Sequence, residues 1–263
     1  MSISHAVLMC HAPIVVPEVG GRRSDECAKT TAAMKEAACF IVDGAPDVLV
    51  ILSPHTQRAR TGWCIVDGEA LFADFSRFRV PECTINLPNA VETVALLHTV
   101  ARSRGLETVP LPTHPLDHGA AVPLHFLCQA GWSGPTVVIA LPWSGADEVA
   151  MGEVIRTAAQ MADQRWAIVA SGDMSHRLAP GAPAGFDPRA KEFDQRFTEL
   201  ITAGELRAAF DIDSALRELA AEDVVQTTAV ASAAVDWDSR GHRTLCYEGP
   251  FGVGYLEAVL HGT

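Results

Sequence analysis

Three apolar runs in this sequence lead into a histidine. His11 follows the run His5–Cys10, and His55 follows Asp47–Leu52 and a Ser53-Pro54 step. His176 follows Trp166–Ala170 and the segment Ser171-Gly172-Asp173-Met174-Ser175. A fourth imidazole, His118, stands in a Leu116-Asp117-His118-Gly119 turn just before a helix, and a carboxylate, Glu248, comes at the end of another strand-like run. Two neutral imidazoles and one carboxylate on one face of a metal form the facial triad of non-haem Fe(II) oxygenases, with three positions open. A zinc hydrolase can use similar donors with one water. Two further His would serve as general acid and base near physiological pH. Ligand type does not choose the metal, and no short motif such as HExxH is present to decide it. Singly, a His at a strand end is more often a capping or packing residue than a ligand; four at strand ends or adjacent turns are harder to dismiss.

The elements that must position these groups alternate along the chain. Asp47–Leu52, Thr136–Leu141 and Trp166–Ala170 are rich in β-branched residues and read as buried strands, like the shorter His5–Cys10. Between them the pattern predicts a helix from Ser24 to about Val42, another from Asn89 to about Arg104 opened by an Asn89/Glu92 capping box, and a third over 146–164. Asp187-Pro188 opens a further helix, and 224–235 is apolar enough to be a helix buried on most sides. Segments 57–88 and 178–186 read as loops that supply pocket walls. In open α/β sheets, ligands bind outside the carboxyl ends of the strands, so residues distant in sequence can meet there. The fold expected is α/β, a single domain over 1–263 with a central mixed sheet flanked by helices and the metal site at the strand ends.

Composition excludes other classes. The chain has 263 residues, 48% of them hydrophobic, which is too apolar for a long disordered segment. Its formal charge of −12 argues against nucleic acid and anionic membranes as partners. The seven cysteines show no CxxC or zinc-ribbon spacing, and most sit in apolar runs, so they read as free thiols of a reducing compartment. No signal peptide is apparent, and Gly and Pro interrupt the uncharged stretch 118–146, so no spanning helix is expected and the protein is placed in the cytoplasm.

Short pieces spread over nearly 250 residues are similar to class III extradiol ring-cleavage dioxygenases, the family of the protocatechuate 4,5-dioxygenase catalytic subunit and of 2-aminophenol 1,6-dioxygenase. The Memo proteins share that fold. The pieces are Cys10-His11-Ala12-Pro13, Ser53-Pro54-His55-Thr56, Leu116-Asp117-His118-Gly119, Gly172-Asp173-Met174-Ser175-His176 and Tyr247-Glu248-Gly249-Pro250-Phe251-Gly252-Val253-Gly254-Tyr255. The resemblance implies that His11, His55 and Glu248 bind Fe(II), with Zn or Mn as substitutes. It implies that His176 is the acid/base residue and that His118 stabilises substrate or bound oxygen. The activity implied is opening of a catechol or aminophenol ring by O2. The resemblance also implies a homo-oligomer and, in some members, a separate small subunit. A Memo-like metal-binding or redox-associated protein without ring cleavage is the alternative, and a zinc-dependent hydrolase the third.

Smaller expectations concern the surroundings. Asp173 is a candidate to orient His176. Cys246, two residues before Glu248, should face the same side of a strand. Arg58, Arg60 and Arg177 are candidate partners for an anionic substrate. His98 and His125 read as ordinary helix residues, with substrate contact an option for His125 because it follows His118 on one segment.

Overall fold

A computed structural model describes residues 3–262 of the chain. Its strands are β1 (Ile3–Met9), β2 (Val48–Ser53), β3 (Trp63–Asp67), β4 (Ala70–Phe75), β5 (Val80–Pro88), β6 (Thr108–Pro112), β7 (Thr136–Ala140), β8 (Trp166–Ser171), β9 (Arg243–Glu248) and β10 (Tyr255–Gly262). Its α-helices are α1 (Pro17–Gly20), α2 (Ala28–Asp43), α3 (Val91–Ser103), α4 (His118–Gln129), α5 (Glu148–Ala162), α6 (Ala190–Thr202), α7 (Leu206–Phe210), α8 (Ser214–Ala220) and α9 (Val225–Ala234). Eight strands form one mixed sheet in the order β6-β3-β7-β2-β8-β1-β10-β9, and β4 pairs with β5 in a separate hairpin.

The four central strands, β7, β2, β8 and β1, are parallel to one another. Their carboxyl ends therefore lie along one edge, from which the segments carrying His11, His55 and Gly172–His176 emerge. Both faces of these strands are covered, which is why they read as unbroken apolar runs. Val48, Val50 and Leu52 of β2 pack with Leu97 of α3, Val154 of α5, Phe197 of α6 and Val230 of α9. The alternate Leu49 and Ile51 pack with Met34 of α2, Leu124 of α4 and Phe75 of the hairpin. Burial of α9 is near complete, as its small-residue composition predicts. Among the described residues no helix is long and apolar enough to cross a membrane.

Three local expectations change. Segment 57–88 is not a loop throughout: it supplies β3, β4 and β5. Asn89 does not cap the helix after it, because its Nδ2 donates to the Val66 carbonyl and the cap position falls to Ala90. The helix expected from Ser24 begins at Ala28, after a 3₁₀ stretch over Gly21–Cys27, and Ser24 Oγ donates to the Gly21 carbonyl inside that stretch.

Candidate metal centre

His11, His55 and His118 converge at the carboxyl edge of the sheet, each offering a ligand atom within 4.8 Å of the others. His11 Nε2 and His55 Nε2 stand 3.1 Å apart. The carboxylate that joins them is Asp223, whose Oδ2 lies 3.1 Å from His55 Nε2 and 3.4 Å from His11 Nε2. Glu248 is not brought to this cluster. Its Oε1 accepts from the backbone N–H and the hydroxyl of Thr30, at 2.9 and 2.7 Å, at the start of α2. The topology explains the displacement: β9 is two strands from β1 across β10, roughly 10 Å at ordinary strand spacing.

Each ligand is held by its own element. His11 is the second residue after β1; its backbone N–H donates to Asp173 Oδ1 at 2.9 Å. Its Nδ1 lies 3.0 Å from Ser171 Oγ, and that hydroxyl donates to the Gly119 carbonyl at 2.5 Å. The Ser171 proton is thus committed, so His11 Nδ1–H must be the donor, and in the neutral imidazole the lone pair is left on Nε2. After β2, Ser53 Oγ accepts from the N–H groups of His55 and Thr56 and donates to Asp117 Oδ1, which fixes the turn carrying His55. Asp117 also caps α4, accepting from Ala120 N–H, so His118 is set in the first turn. The His118 ring centroid is 4.3 Å from that of His55 and 5.5 Å from that of His11. Asp223 precedes α9 and is locked to the loop after β8: Asp173 N–H donates to Asp223 Oδ1 at 2.7 Å, and Asp223 N–H to the Asp173 carbonyl at 3.2 Å.

Two glycines permit this closeness. A Cβ on Gly172 would lie 2.5 Å from Val224 Cα, so only glycine admits the Asp223 segment against the end of β8. A Cβ on Gly119 would lie 2.6 Å from Ser53 Oγ and 3.2 Å from His55 Cβ.

The electrostatics call for a cation. Burial works against charge on His11, yet Asp173 and Asp223 outweigh it and raise its pKa to about 9. Burial likewise opposes charge on Asp223, but His11 and the hydrogen bonds from His11 and His55 hold it well below the usual carboxylate range. Burial, with the charges of His11 and His55, pushes His118 down to about 4. His11 Nε2, His55 Nε2 and Asp223 Oδ2 stand 3.1–3.4 Å apart, and a metal bound among them would take the place of the Nε2 protons that bond to Asp223. Three donors at about 2.0–2.2 Å from one ion stand about 2.8–3.6 Å apart, so these residues fit a divalent metal.

His176 lies outside the three-imidazole cluster. Its Nδ1 is buried without a hydrogen-bond partner, within electrostatic reach of Asp173, Asp194 and Asp223. Asp173 serves His11 through the backbone bond, rather than being devoted to His176. A cavity of about 260 Å³ opens beside the metal cluster, lined by His55, His118, Phe75, Phe78, Arg77 and Leu116 among others. Arg77 was not singled out in the sequence. Arg58 instead donates to the Leu141 carbonyl and lies over Trp143, and Arg177 Nε is buried without a partner. His125 lines a different pocket, and Cys246 sits opposite Glu257 across β9 and β10. Asp223 escaped the sequence reading because it ends no strand. The signal was a pair of acids, Glu222-Asp223, set just before the small, apolar and almost wholly buried α9.

Residues 5–257 match the model of the family described as the catalytic LigB subunit of aromatic ring-opening dioxygenase. Protein CA_C1420 of Clostridium acetobutylicum is 26% identical over 280 aligned residues, covering 100% of this chain and 59% of that protein. The chain therefore spans about three fifths of the length of this curated relative. Among solved structures, the uncharacterized protein JW3007 from Escherichia coli K12 superposes with a TM-score of 0.63 at 15% identity, covering 98% of this chain and 99% of the other. That likeness is one of fold.

Proposed function

The chain belongs to the family of the catalytic LigB subunit of aromatic ring-opening dioxygenases, and from this premise we propose that it opens a catechol or aminophenol ring by extradiol cleavage, with Fe(II) held by His11, His55 and Asp223. The observation that carries the reading is the triangle of His11 Nε2, His55 Nε2 and Asp223 Oδ2, one corner of which, His55, also lines a ring-sized cavity. Fe(II) bound there would supply a Lewis acid with open positions for two adjacent substrate heteroatoms and for O2.

The side chains of the protein do the rest. A dry site of about 150 Å³ can hold benzene, so about 260 Å³ suits one ring with small substituents. Phe75, Phe78 and Leu116 give that ring apolar walls. His118 lines the cavity beside His55 without being a corner of the triangle, and burial keeps it neutral, so we assign it acceptance of the substrate hydroxyl proton. His176, with a buried and unpartnered Nδ1 within electrostatic reach of Asp223, takes the supporting role. The two roles are thus exchanged relative to the expectation from resemblance. Arg77, on the same wall, is the cation for an acidic ring substituent.

The test is anaerobic loading with Fe(II), followed by air and a panel of catechols and aminophenols. Oxygen uptake with a coloured ring-opened product is expected for at least one of them. Iron bound without oxygen uptake across the panel, or zinc-supported hydrolysis without oxygen, would overturn the reading.

A further inference from the structure

A second group of reactive side chains lies at the other end of α4 from the metal cluster. Cys83 Sγ is 3.2 Å from His125 Nδ1, and His125 Nε2 faces Glu18 Oε2 at 3.5 Å. Glu18 is itself held, since Gln129 Nε2 donates to its other oxygen at 3.4 Å. His125 is 6% exposed, and its Nε2 has no hydrogen bond within ordinary limits. These residues, with Cys128, Glu82, Thr84 and Ile85, line a pocket of about 340 Å³. Cys83 belongs to a stretch of β5 that breaks register: Asp74 pairs with Thr84 and Phe75 with Val80, which leaves 81–83 outside the ladder. Irregular strand pairing of this kind re-aims side chains.

We propose that Cys83, His125 and Glu18 form a second reactive site, independent of the metal centre, at which the Cys83 thiol exchanges with a small, positively charged disulfide. The Glu18 carboxylate, 3.5 Å from His125 Nε2, favours the tautomer with the proton on that nitrogen, which leaves the Nδ1 lone pair facing the thiol. That is a nucleophile against a base, with the base oriented by a third group. Burial raises the Cys83 thiol, and Glu18 and Glu82 add to this; burial lowers His125 against the pull of Glu18, with Lys35 acting in the same direction as burial. The resting pair is a neutral thiol and a neutral imidazole, which is a general-base arrangement and not a preformed ion pair.

In the exchange, His125 Nδ1 takes the thiol proton as the sulfur of Cys83 attacks one sulfur of the disulfide. The new S–S bond forms as the old one breaks, and the departing thiolate takes the proton from the imidazolium. Cys83 is oxidised and the departing half is reduced to a thiol, so no other reductant is needed. Acyl transfer would further require paired N–H donors aimed beside the sulfur; exchange needs only thiol, base and room. Glu18 and Glu82 on the pocket wall favour a cation in it.

The test treats the full chain with cystamine, or with the anionic dithiodiglycolate of similar size, and maps the modified cysteines over time by mass spectrometry. Cys39, which is exposed, is the reference within the same molecule. With cystamine near pH 7, Cys83 should react at least about tenfold faster than Cys39, and the ratio should fall with dithiodiglycolate. His125→Gln and Glu18→Gln should each slow Cys83 by about tenfold and leave Cys39 unchanged. Glu18 is partly exposed, so its substitution keeps the fold. Equal rates at Cys83 and Cys39, or Cys83 rates untouched by both substitutions, would overturn the proposal. So would a Glu18→Gln variant slowed with cystamine and sped by the same factor with dithiodiglycolate, which would reduce Glu18 to a charge on the wall. Each result is independent of whether the metal centre turns over.

Discussion

Pro123 stands four residues after Gly119 in α4, and with no N–H to give it leaves the Gly119 carbonyl without its helical donor. Ser171 Oγ fills the place at 2.5 Å, and its committed proton obliges His11 Nδ1 to donate. A proline in one helix thereby sets the tautomer of an imidazole of the candidate metal cluster at a neighbouring strand end.

Ser171→Ala should accordingly weaken metal binding by about 10–100-fold, the usual cost of losing a group that orients a ligand. Pro123→Ala returns an N–H to the Gly119 carbonyl and frees the Ser171 proton for His11 Nδ1. It should weaken metal binding without lowering the melting temperature. Metal titration and thermal unfolding of both variants check this; unchanged affinity in Ser171→Ala would remove the hydroxyl from the site.

Asp223 and Glu248 separate in the same assay. Asp223→Asn removes a corner of the triangle and should cost more than about 100-fold in metal affinity, beyond what an orienting residue costs. Glu248→Gln should keep the metal and lose about 1 kcal/mol of stability, because a charged acceptor of two Thr30 bonds becomes neutral. Metal loss in Glu248→Gln with retention in Asp223→Asn would restore the ligand set implied by resemblance.

Gly172→Ala tests how Asp223 is placed. Its Cβ would meet Val224 Cα at 2.5 Å, and the backbone there must shift. The variant should fold, bind metal at least about tenfold more weakly and retain α9, as read by metal titration beside far-UV circular dichroism.

The parallel centre of the sheet was legible because strands buried on both faces are written as continuous apolar runs, and because a strand's end is where its ligand must be. That His11 and His55 meet at one edge of the sheet followed directly. Asp223 did not, since a helix start beside another strand's end is a tertiary fact that no local pattern carries. Glu248 stands at Thr30 instead of beside the imidazoles, because standing at a strand end does not say which strand lies next to which. The hairpin β4–β5 was obscured because its exposed and buried residues alternate among charges and Pro81, giving no continuous run.

Metal affinity should depend on pH with a definite sign. His11, at about 9, carries a proton through the neutral range, and the metal requires the free Nε2. Below about pH 9 each binding event expels that proton, so the dissociation constant should rise by about tenfold for each unit of acidification and level off above pH 9. Titration at pH 6.5, 7.5 and 8.5 measures the slope, and proton release into weak buffer counts the proton. A flat profile would mean that the carboxylates do not protonate His11 in the metal-free protein.

Arg77 is the residue proposed to discriminate between ring substituents. It reaches the cavity from the turn of the hairpin, and His55 and His118 of the metal cluster line the same cavity. A ring whose adjacent heteroatoms face His55 would present a distal acidic group to the guanidinium, which pairs with carboxylates in bidentate fashion. Arg77→Gln should then raise KM for a carboxylated catechol by about tenfold, equivalent to about 1.4 kcal/mol, with kcat little changed. For the unsubstituted catechol neither constant should move, because the lost contact is to the substituent alone. Equal effects on both substrates would make Arg77 a structural support of the hairpin, and no effect on either would leave acid recognition to another residue.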